Sequence, residues 1–322
     1  MKMVTGAEGA ELARAWDEKA LAARVVRYDD LIPCRNAFID TRTPGSDAKE
    51  NFTIIGPGVA ENPEQHVHIT EAHGFNIGGA RQPPRCTNSQ HSHDTAEVFV
   101  VHSGRWRFTF GEHGEDAQVD AEPGDIVSFP VHAFRGFENI GEETGFLWSV
   151  LGGDDPGRVL WAPKVFEMAA EYGLILLENG ALVDTTLGQT VPSDAKPMPV
   201  TSPEAIAKLR RMRPQDAGEI IARAPQTPIP GEKLVIGPGG QLPAAEGFTV
   251  SRLTLAAQET NAVSSPAHAE VVFVQRGSAE MCTDDAAVTL GKGDTMTVPA
   301  GLPRCYRGLG NGAELIVVRG TG

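Results

Sequence analysis

No apolar run in the 322-residue chain approaches the roughly 20 residues that a bilayer-spanning helix needs. The first residues, Met1 to Arg24, mix acids, bases and alanines and lack the apolar core of a signal peptide. Together these absences predict a cytoplasmic protein that does not enter membranes. Positive charge is in deficit: 28 Lys and Arg stand against 42 Asp and Glu, a net charge of −14. Such a surface repels phosphate backbones, which excludes nucleic acid as a partner. Cysteine is scarce, and Cys34, Cys86, Cys282 and Cys305 form no CxxC and no close pair, so they read as isolated reduced thiols. There is no P-loop, no dinucleotide fingerprint, no G-x-S-x-G and no HExxH.

Turn formers are plentiful instead. The 36 glycines and 23 prolines make up about a fifth of the chain, as many short strands and tight turns require. Hydrophobic residues at 41% and charged residues at 22% are ordinary for a globular protein, and the length suits two domains. Residues 7–24 carry Leu12, Ala15, Trp16, Leu21 and Ala22 at helical spacing, predicting an amphipathic helix within an N-terminal extension, 1–50. From 51 to 158 apolar and polar residues alternate between Gly/Pro turns. Glu97 to Val101, Arg105 to Phe110, Asp125 to Phe129 and Phe146 to Val150 read as strands. Residues 159–232 form a linker, with a helix over Trp161 to Tyr172. A second helix starts from the Ser202 cap, with Pro203 in its first turn, and runs from Ala205 to Met212. A second β-rich block fills 233–322.

The two β blocks share landmarks. Glu97-Val98-Phe99-Val100 leads to Gly104 just as Glu270-Val271-Val272-Phe273-Val274 leads to Gly277, with the same distance from Glu to Gly. Gly124-Asp125 followed by Pro130 matches Gly293-Asp294 followed by Pro299. Two landmarks in the same order imply an internal duplication.

The chemistry is concentrated in His91-Ser92-His93-Asp94-Thr95-Ala96-Glu97. Residues two apart on a strand face one side, so His91 and His93 can point inward together, and a short bend brings Glu97 beside them. Two imidazoles and a carboxylate form a facial set for a divalent ion, with positions left open. This His-x-His-x-x-x-Glu followed by Gly104 resembles the first motif of the cupin superfamily, and Gly124-Asp125 with Pro130 resembles the start of the second. In that second motif Pro130 and Asn139 are in register. However, His132 stands where the motif has glycine and Arg135 where it has the third histidine.

The resemblance implies an all-β chain of two cupin-type antiparallel β-barrels (jelly rolls), a bicupin, with a helical N-terminal extension and a helical linker. His91, His93 and Glu97 would hold the metal in the first barrel, with His132 a candidate fourth ligand. A guanidinium does not ligate metals. Arg135 is therefore either the catalytic residue that clamps a substrate carboxylate in bidentate fashion or the partner of Glu97 in a metal-free pocket. In the second barrel Ser264, Pro266 and Arg304 occupy the histidine positions. His268 and Glu270 alone make a poor site, leaving a role in dimerisation or scaffolding. His66, His68, His73, His102 and His113 read as structural or surface residues. Trp106, Phe108, Phe110, Phe129, Phe134 and Phe137 read mostly as barrel filling, with some available to line an aromatic-substrate pocket.

Two function classes follow. The layout resembles gentisate-type ring-cleaving dioxygenases, implying a non-haem enzyme that uses Fe(II), with Mn, Ni or Zn as alternatives. Its substrate would be a small oxygenated aromatic or oxoacid bearing a carboxylate, and the protein a homodimer. The other class is a non-catalytic binder of small acids that uses Arg135 and Arg304 as anchors. Because the fold also hosts isomerases and decarboxylases, fold likeness alone does not choose.

Overall fold

The structure is a computed structural model, and it describes residues 16–321. The chain divides into two compact units. One contains Leu31–Gln226 and Ile236–Phe248; the other contains the described residues up to Asp30, Thr227–Val235 and the stretch from Thr249 onward. Among the described residues no helix is long and apolar enough to cross a membrane.

The first unit is a jelly roll of two sheets. One runs in the order Ile221–Ala222, Ile126–Phe129, Glu97–Ser103, Gly145–Gly152, Phe75–Gln82, Glu50–Ile55, Val67–Ile69. The other runs Leu160–Trp161, Thr87–Ser92, Arg135–Asn139, Trp106–Phe110, Ala117–Ala121. Period-two patterning decides which side chains turn inward. In Trp106–Phe110 the residues Trp106, Phe108 and Phe110 are fully buried while Arg107 and Thr109 are not. These rings meet Phe99, Val101, Val127, Phe129 and Leu147 from the opposite sheet in one core, so the two sheets pack face to face. Phe99, Phe108, Phe129 and Phe137 interlock through edge-on and tilted ring contacts with centroids 5.2–6.0 Å apart.

The second unit is built on two long antiparallel strands, Glu270–Cys282 and Cys305–Gly320. Both bend where the register shifts, at Val274/Arg276 and Gly277/Ser278. The duplication expected from the sequence recurs in detail. Gly104 (φ +82°) and Gly277 (φ +74°) both have left-handed backbone. A Cβ on Gly104 would lie 2.7 Å from Gly145 Cα, and one on Gly277 would strike the Gly312 carbonyl. Asp125 and Asp294 close identical turns: each carboxylate accepts the amide three residues back, from Glu122 at 3.0 Å and from Gly291 at 2.8 Å.

Each jelly roll also takes a two-residue edge strand followed by an arginine. Ile221–Ala222 pairs with Ile126 and Val127, and Arg223 reaches Asp125 at 2.8 Å. Val25–Val26 pairs with Met296 and Thr295, and Arg27 reaches Asp294 at 2.6 Å. The N-terminal segment therefore belongs to the second jelly roll, whose core receives Leu21 and partly buried Trp16.

Several expectations are corrected. The helix near the N-terminus covers Glu18–Ala22, capped by the Asp17 carboxylate; Leu12 and Ala15 lie outside the described residues. The linker helix begins as expected, with Ser202 Oγ accepting from Ala205, but ends at Ile206. The other helix spans Pro163–Glu171, because Leu160–Trp161 is drawn into a strand beside Thr87–Ser92. Cys282 and Cys305 are not isolated: they are direct cross-strand partners, brought together by the pairing of two strands whose residues are distant in sequence.

Candidate metal centre

His91 ends up in the interior because strand Thr87–Ser92 lies between Arg135–Asn139 and Leu160–Trp161, where it pairs with Arg135 and Trp161. His93 follows the end of that strand, and Glu97 opens the next. All three are buried, and one donor atom from each lies within 4.8 Å of the others. His93 Nε2 and Glu97 Oε1 are 3.7 Å apart. Donors around an ion with bonds of about 2.0–2.2 Å stand roughly 3 Å from one another, so small side-chain rotations would close the set.

The hydrogen bonding leaves ligand atoms free. His91 Nδ1 donates to the Ser89 carbonyl at 2.8 Å, which directs the Nε2 lone pair inward. The His93 Nδ1 atom is buried with no hydrogen-bond partner. Burial, and next the Arg135 charge, hold the His91 imidazole down to about 3 and the His93 imidazole well below its usual value. Both are therefore neutral at physiological pH, the state a metal requires. Two neutral imidazoles beside a buried carboxylate fit a divalent ion.

Arg135 does not face the cavity as a free clamp. Its Nε and Nη2 donate to the same oxygen, Glu97 Oε2, at 3.0 and 2.6 Å, and its guanidinium lies over the Phe129 ring. Glu97 Oε1 is left unbound by Arg135. His132 is not brought into the set. It occupies the glycine position of the second motif and adopts the left-handed backbone (φ +58°) that this turn demands, as Gly301 (φ +75°) does in the second jelly roll. That backbone sends its ring outward, 54% exposed, to within 3.3 Å of Asp94.

Sequence reasoning missed the support behind His91. Lys49, fully buried, pairs with Asp40 and donates to Asn88 Oδ1 at 3.0 Å, while Asp40 accepts from the Ser89 amide at 3.0 Å. Asn88 is thereby fixed against the His91 ring, its Nδ2 lying 3.4 Å from the Nδ1 that already donates to Ser89. The Trp161 ring packs against that of His91 and donates from Nε1 to Glu61 at 2.6 Å. Only Asn88, three residues before His91, could have been found from its position in the chain.

The second jelly roll repeats the Glu–Arg pair without histidines. Arg304 donates to both oxygens of Glu270, which also accepts from Tyr306 Oη and Arg319 Nε, each at 2.6 Å. Ser264 binds the remaining Arg304 nitrogen. Glu270 is saturated and Arg304 is occupied.

Residues 80–151, which include His91, His93, Glu97 and Arg135, match the family described as Cupin domain. The chain carries a cupin domain. Its two jelly rolls make the fold a bicupin. The oxalate decarboxylase of Lactobacillus farciminis, solved as a formate complex, is similar in structure with a TM-score of 0.56 and 12% identity, over 91% of this chain and 85% of that one. A mutant oxalate decarboxylase from Bacillus subtilis gives 0.56 and 13% over 99% and 84%. A bacterial pirin from Escherichia coli in complex with nickel(II) gives 0.52 and 10% over 92% and 98%. At these identities the likeness is one of fold. No curated protein matches the chain by sequence.

Proposed function

We propose that the first cupin domain is a metal-dependent enzyme site that acts on a compact oxoacid, with a dioxygenase reaction as the first reading. The observation that carries it is the cavity over His91, His93 and Glu97, about 70 Å³ in volume. An enclosed cavity of about 150 Å³ holds benzene, so a space of about half that volume suits a few-carbon acid better than a ring substrate. This favours the oxoacid over the oxygenated aromatic. The cavity wall suits a polar guest on a mostly apolar lining. Asn51 Nδ2, buried without a partner, offers a donor, while Phe52, Phe99 and Trp161 exclude water.

A divalent ion, Fe(II) first, with Mn, Ni or Zn as alternatives, would be held by His91, His93 and Glu97. It would supply a Lewis-acidic, redox-capable centre with open positions. Arg135 acts through Glu97: by holding Oε2 it fixes the carboxylate and presents Oε1. Arg135 and Arg304 are each consumed by a buried glutamate, which weighs against the binder that uses both as anion anchors. The oxalate decarboxylases of like fold act on a two-carbon acid, which agrees with the cavity size.

The test is oxygen uptake and carbon dioxide release by protein loaded in turn with Fe, Mn, Ni and Zn. Small oxoacids are compared with hydroxylated benzoates. Turnover of an oxoacid with oxygen consumed is the expected result. Carbon dioxide without oxygen uptake moves the reaction to decarboxylation. Turnover of benzoates alone, or less than about a tenth of an equivalent of metal retained, overturns the proposal.

A further inference from the structure

Cys282 is the last residue of strand Glu270–Cys282, and Cys305 is the first of Cys305–Gly320. They face each other directly in the antiparallel register. Their neighbours Met281 and Tyr306 point into the core and are fully buried, so both thiols project from the opposite face, where they are partly exposed. The backbone groups of Arg304 and Tyr306 bond away from this ladder, to Ser264 and Asn261. Those of Cys305 therefore turn toward Cys282, making the two a hydrogen-bonded pair with Cα atoms about 5.5 Å apart. That separation lies inside the range of about 4.4–6.8 Å that a disulfide spans. After burial, the adjacent Cys305 thiol is the next cause pushing the Cys282 thiol up to about 11, as expected of two sulfurs in close proximity.

We propose that Cys282 and Cys305 are a thiol-modification site: a dithiol that closes to an intramolecular disulfide on exchange with a small disulfide such as oxidised glutathione. One protein thiolate attacks the glutathione disulfide and releases one glutathione. The second protein thiolate displaces the other, so one S–S bond forms in the protein as one is broken. Two electrons and two protons pass from the protein to two glutathione thiols.

The position makes the bond reversible. Cβ atoms of opposed strand residues stand about 4.5–5.5 Å apart, whereas a disulfide needs about 3.8 Å, so closure draws the strand ends together by roughly 1 Å. Both strands end here, at the turn after Cys282 and at the loop before Cys305, which lets them yield. A bond closed against that resistance is more easily reduced than a relaxed one.

The experiment uses the full chain, reduced, then incubated with oxidised glutathione at mildly alkaline pH with its far-UV spectrum unchanged. Wild type should lose two of its four free thiols without gaining glutathione, and dithiothreitol should restore them. Tryptic peptides 277–292 and 305–307 should be joined. C282S and C305S should each retain one bound glutathione at the surviving partner instead, and either variant suffices if the other misfolds. Four thiols still free, stable glutathione adducts on wild type, or a link through Cys34 or Cys86 would each overturn the proposal.

Discussion

Arg135 offers the sharpest test of how the site is built. Its two nitrogens bind Glu97 Oε2, and both side chains are almost wholly buried. Replacing it by Met keeps most of the volume but leaves a carboxylate in a low-dielectric interior with no cation. Breaking one side of such a buried pair costs about 3–5 kcal/mol. For a unit of this size each kcal/mol moves the midpoint by about 2–4 °C, so the first jelly roll should melt roughly 6–20 °C lower. Arg135→Lys offers a single point charge in place of two N–H donors and should lose about 1.5–3 kcal/mol. A divalent ion on Oε1 would supply positive charge to the same carboxylate. Adding metal should therefore raise the midpoint of Arg135→Met more than that of wild type. The assay is a melt followed by tryptophan fluorescence, with and without each metal. A variant melting within about 1 °C of wild type, or gaining no more from metal, refutes this account. Unchanged stability with a weakened substrate affinity would restore Arg135 as a carboxylate clamp.

His91→Ala and His93→Ala should each abolish retention of a divalent ion after dialysis, while His132→Ala should leave metal content unaltered; metal analysis of the three purified variants decides. Glu61 gives a pH signature, because burial pushes its carboxyl up to about 8 despite the Trp161 and Ile39 donors. From about pH 4.5 to pH 8 the unfolded chain releases a proton that the folded chain keeps. Stability should thus fall as pH rises, by about 1.4 kcal/mol per unit at most, and be fully recovered below the unfolded value. Glu61→Gln should remove that slope in urea unfolding measured across the range, and an unchanged slope would assign it elsewhere.

The fold was readable because jelly-roll strands announce themselves locally. Period-two patterning in Trp106–Phe110 and the paired Glu-to-Gly spacings required no knowledge of tertiary contacts. The ligand set was readable for the same reason: His91, His93 and Glu97 lie within seven consecutive positions, and strand geometry decides where they point. Long-range contacts were not. Whether Arg135 met substrate or Glu97 depended on a pairing across 38 positions, and Lys49 and Asp40 reach the site from outside any motif. His132 misled because its residue type suggested a ligand, whereas the backbone conformation of its turn decided its direction. The linker helix stopped at Ile206 although suitable residues continue, and nothing local marks that end. The cysteine pair was invisible because strand register, not sequence distance, sets it.

The edge strands have a consequence for biosynthesis. Val25–Val26 is made long before its partner Thr295–Val298; Arg27 and Asp294 are 267 positions apart. At about 5–20 residues per second that is a wait of roughly 15–50 s. The entropic cost of closing so long a loop grows only logarithmically, so the delay is kinetic more than thermodynamic. Throughout it a short apolar strand stays unpaired while a whole jelly roll folds behind it. The first β-strand among the described residues thus waits for a partner made far later, and nascent chains stalled before residue 295 should be the form most in need of a chaperone.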